Sequence, residues 1–66
     1  MEDRQAFAAG MDLAQDLIDR TGVRDPERLL EVAELVESRA ETAMEMGVAA
    51  GLRIAAAEIA DECALQ

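Results

Sequence analysis

From Asp3 to Arg20 the apolar positions Phe7, Met11, Ala14, Leu17 and Ile18 recur every three or four residues, with Gly10 and Leu13 on the flank. Asp12, Asp16 and Asp19 fall on the opposite side. That period predicts an amphipathic helix over roughly residues 3–20. Turn chemistry follows over 21–25. In Thr21-Gly22 the glycine stands where a helix C′ residue would sit, Asp25 is a good N-cap, Pro26 suits the first helical position, and Glu27 favours the positive end of the helix dipole. A second helix therefore begins at Pro26.

Along this second segment Leu29, Val32, Ala33, Val36, Ala40, Ala43, Gly47, Ala50 and Ile54 share one side, and Glu27, Glu31, Glu34, Glu41 and Glu45 share the other. After Gly47 the pattern changes: Val48, Leu52, Ala55, Ile59 and Cys63 occupy the formerly acidic side. A helix that is apolar nearly all round is a buried one, so the last third of the chain expects neighbours on two sides. Gly47 and Gly51 stand one turn apart, and each costs a helix interior about 1 kcal/mol relative to alanine. With Ala40, Ala43 and Ala50 they form a strip without side-chain bulk, the small-xxx-small spacing that lets another backbone come close. FAAGMDLA (7–14) and VAAGLRIA (48–55) repeat one pattern of large, Ala-Ala-Gly, large, charged, large, Ala. Two helices would thus each offer a thin notch.

Helix lengths then matter. A continuous helix over 26–64 would run nearly 60 Å, against roughly 26 Å for the first helix, which could cover it only to about residue 43. No proline or turn cluster accompanies the two glycines, alanines favour continued helix, and the stripe keeps its phase to Ile54. The expected fold is therefore all-α: a helical hairpin with a short first helix and a long second one, assembling as a homodimeric bundle. Its self-association interface would comprise Ala40, Ala43, Gly47, Ala50, Gly51, Ile54, Glu58 and Ile59. The alternative is a compact three-helix bundle with the break at Gly47–Gly51.

Composition sharpens this picture. Sixty-six residues make one small domain, and chains of this size have marginal cores unless stapled or oligomeric. The single cysteine, Cys63, cannot close a disulfide within the chain, and without histidine there is no Cys/His zinc site. Net charge is −9, from 15 acidic residues and 6 basic ones, all arginine. Such a chain repels nucleic acid and anionic membrane, so its electrostatic partners would be basic protein surfaces. The acidic start MEDRQAF is unlike a targeting segment, and no uncharged run approaches the roughly 20 residues needed to span a bilayer. A cytoplasmic protein is expected.

Catalytic groups are scarce. The commonest general base, histidine, is missing; Ser38, Thr21 and Thr42 lack an activating partner; Cys63 lies beside Asp61 and Glu62, which disfavour a thiolate. Neither a phosphate-cradling glycine loop nor the Glu-x-x-His pairs of di-iron bundles occurs. No enzymatic activity, cofactor or metal is expected. Function would lie in binding, through Asp12, Asp16, Asp19, Glu27, Glu31, Glu34, Glu41 and Glu45 as a candidate acidic face. Glu58, continuing the apolar side, would pair with Arg53 or Arg39 of a neighbouring chain. The leading reading is a small acidic regulator or adaptor that binds protein and acts as a homodimer. The alternative is an acidic decoy that imitates nucleic acid, similar in size and charge to the inhibitors phages aim at bacterial defence enzymes. The five glutamates of the stripe, Glu27, Glu31, Glu34, Glu41 and Glu45, supply one charge per roughly 5 Å of helix, sparser than the roughly 3.4 Å spacing of a DNA strand.

Overall fold

The computed structural model describes residues 2–64, and the side chains of 3–62. Among the described residues three helices follow one another: α1 (Glu2–Thr21), α2 (Pro26–Arg39) and α3 (Ala43–Ala64). The first turn forms as its residues dictate. Gly22 adopts φ +70° and its N–H donates to the Ile18 carbonyl over 2.8 Å, while Asp25 caps α2 by accepting from the Glu27 N–H at 3.1 Å.

The second turn overturns the expected hairpin. No helix spans 26–64, and the fold is a three-helix bundle, not two long-helix hairpins paired with each other. Nor does the chain break at Gly47–Gly51, which lie within α3. It breaks at Ala40–Thr42, where Ala40 is extended (φ −66°, ψ 131°). Thr42 Oγ1 accepts from the Glu45 N–H at 3.2 Å, and Glu45 Oε1 accepts from the Thr42 hydroxyl at 3.1 Å and the Glu41 N–H at 3.4 Å. This is a variant of the capping box, Thr-x-x-Glu: Thr42 satisfies an orphan N–H of the first turn, and Glu45 reaches back to the N–H preceding the cap instead of to that of Thr42, with neither glycine nor proline.

The fold-back gives α3 its two neighbours. Helices α1 and α2 each pack on α3, yet among the described residues no Cα of α1 lies within 8 Å of one in α2. Small residues make the α1–α3 seam. The two helices run parallel, Gly10 facing Gly47 and Val48, and Met11 and Ala14 facing Gly51. A Cβ on Gly47 would run into the Phe7 carbonyl oxygen, and one on Gly10 into that of Met44. One on Gly51 would sit 2.8 Å from the Ala14 methyl. The glycine strip thus admits a second backbone, and that backbone is α1 of the same chain.

Ala14, Ile18, Leu29, Ala33, Leu52, Ala55, Ala56 and Ile59 form the core, with Val23 and Val48 packed against it. It is a thin one: among the described residues no large side chain is fully buried, and complete burial falls to alanines. Arg24 reaches Glu62 over 2.7 Å and Arg53 pairs with Glu37, joining α3 to the first turn and to α2.

Candidate binding groove

The wide spacing of α1 and α2 opens a groove of about 320 Å³ between them. Leu17, Ile18 and Thr21 form one wall, Arg28, Leu29, Val32 and Val36 the other, with Val23 at the turn and Val48 and Leu52 as the floor. Helix α1 reaches α3 through Gly10, Ala14 and Ile18, and α2 through Leu29 and Ala33, while Leu17 and Val32 face the groove from its two walls. These two are 46% and 41% exposed, which marks the groove as uncovered apolar surface. Leu13, one turn before Leu17, and Leu35, beside Val36, continue the apolar lips and are also exposed.

Arg28 and Arg39 bracket the groove-facing stripe of α2, about 16 Å apart along the helix. Among the described residues neither takes part in an ion pair. Arg20, on α1, is bridged to Asp16 at 3.0 Å. Among the described residues no polar or charged side chain is buried. What the groove can do chemically is bind apolar side chains and orient a carboxylate at the Arg28 end; Arg39 lies beyond the lining, in a neighbouring depression it shares with Glu45.

The predicted site residues scatter. Gly47, Gly51 and Ile59 are buried within the chain, Ala40, Ala43 and Ala50 are half-buried, and Ile54 and Glu58 are exposed. Glu58 lines a small polar cleft with Gln15, Asp19, Arg24 and Glu62, and Arg53 is engaged by Glu37 of its own chain. All eight acidic candidates are exposed. Asp12, Asp16 and Asp19 stand on α1, Glu27, Glu31 and Glu34 on α2, Glu41 in the second turn and Glu45 on α3. Glu45 helps cap α3 and Asp19 accepts from Gln15 at 3.2 Å. The Cys63 side chain lies outside the described residues. Sequence reasoning missed the groove because Leu17, Val32 and Val36 look like core positions; only the separation of α1 from α2 leaves Leu17 and Val32 open.

Among the described residues no group of three or more metal-binding side chains gathers, and no helix is long and apolar enough to cross a membrane. No family model, curated protein or solved structure matches the chain.

Proposed function

We propose that the protein is a non-catalytic, cytoplasmic protein-interaction module whose α1–α2 groove receives an amphipathic helix of another protein. The observation that carries this reading is the open apolar groove lined by Arg28, with Arg39 further along α2 and neither ion-paired among the described residues, on a chain of net charge −9. Helix-in-groove recognition needs an apolar trough with anchor positions spaced by helical turns, and α2, with 14 residues, provides a wall about 21 Å long. Arg28 and Arg39 ask for carboxylates near the two ends of the partner's apolar stripe. The excess of negative charge elsewhere keeps other acidic surfaces away and gives the module its selectivity.

The test is site-specific photo-crosslinking in cells, with the reactive residue at Val32 and, separately, at Asp12. Capture of a partner from Val32, lost on adding Leu17→Glu and weakened about tenfold by Arg28→Glu with Arg39→Glu, is the expected result. Such a loss corresponds to about 1.4 kcal/mol. Capture from Asp12 instead, by a basic protein and abolished by salt, would replace the groove reading with that of an acidic decoy.

A further inference from the structure

Helices α1 and α2 cover α3 on two sides and leave a third face open. Along it run Ala43, Met46, Ala50, Ile54 and Ala57, all exposed or half-buried, with Met46 and Ile54 at 45% and 47% exposure. At 100° per residue these five fall within one narrow sector of the helix, over about 21 Å. Their order has a symmetry. Read from Ala50 outward in either direction, the stripe meets a large side chain four residues away and an alanine seven residues away.

We propose that this face pairs with the same face of a second copy, the two α3 helices lying antiparallel and crossing at Ala50. The two-fold axis then sets Met46 against the partner's Ile54 and Ile54 against the partner's Met46, with the alanine at the crossing admitting close approach. An isologous interface must be complementary to itself, and a stripe that reads alike in both directions meets that condition, which an unrelated helix has no reason to share. Charge selects the same place. Two chains of net charge −9 repel each other over most of their surfaces, but the stripe carries no charge. Arg53 beside it is held by Glu37 of its own chain, and Glu58 and Asp61 lie past its end. A need exists as well, since among the described residues full burial of an apolar side chain falls only to alanines and chains this small commonly gain their missing apolar burial by oligomerising. One helix face of this length makes an interface at or below the small end of specific contacts, about 1,200 Å² in total, so the dimer dissociates on dilution. The pairing uses a surface separate from the groove and stands independently of the groove's function.

Light scattering across a concentration series tests it. The mass of the natural chain should climb from 7.1 kDa toward twice that value. Ala50→Arg should remain monomeric throughout with an unchanged circular dichroism spectrum, and the milder Ile54→Gln should raise the dissociation constant about tenfold. In a Cys63→Ser background, Met46→Cys mixed with Ile54→Cys should form a disulfide-linked dimer faster than either variant alone. A monomer at every concentration, or a dimer indifferent to both Ala50→Arg and Ile54→Gln, would overturn the proposal. So would a dimer lost with Leu17→Glu instead, which would place the contact in the groove, or a preference for linking Met46→Cys to itself, which would make the helices parallel.

Discussion

Thr42 and Gly47 show how much a single side chain, or its absence, decides here. Thr42 Oγ1 accepts the Glu45 N–H and so starts α3 where a continuous helix would otherwise run on. Thr42→Ala should lower unfolding free energy by about 1 kcal/mol, read from the urea midpoint, and Thr42→Ser should restore most of it. Gly47 presents the opposite balance. Alanine there would gain about 1 kcal/mol of helix propensity, but its methyl meets the Phe7 backbone, which has no rotamer with which to yield. Gly47→Ala should therefore destabilise by about 1–3 kcal/mol net, the range for overpacked sites. A rise in melting temperature on that substitution would show that α1 does not lie on the glycines.

Each helix is placed by its narrowest residues. Ala14 on α1 and Ala33 on α2 have no exposed surface and set how closely each helix approaches α3. Ala14→Leu or Ala33→Leu should each cost about 1–3 kcal/mol by forcing a seam apart. Leu30→Glu, on an exposed position of α2, should stay within about 0.5 kcal/mol. Denaturant titration of the three variants side by side separates these outcomes. The Arg53–Glu37 pair, with both side chains more than a third exposed, is worth at most about 1 kcal/mol. Packing, not ion pairing, orders the bundle.

On the scale of the whole molecule, charge and size pull in opposite directions. Self-repulsion at net charge −9 is relieved by screening, so raising salt from about 10 mM to about 0.3 M should raise the melting temperature measured by circular dichroism. If it falls, attractive pairs outweigh repulsion. Much of this molecule is legible in its residues: the all-α class, the first turn from Gly22, Asp25 and Pro26, and the close approach of a backbone at Gly47 and Gly51. Those features rest on local chemistry, because capping, φ preference and helical period act within a few residues. The second break also had a local signal, Thr42-x-x-Glu45, masked because the alanines around it continue a helical stripe without a change of phase. The identity of the backbone on the glycines was not legible, since a small-residue strip accepts any helix of suitable shape. Only the tertiary structure decided that α1 fills it, because the turn at Ala40–Thr42 brings α3 back alongside the helix that starts the chain. That choice separates α1 from α2, and their separation exposes apolar residues that periodicity alone would assign to the core.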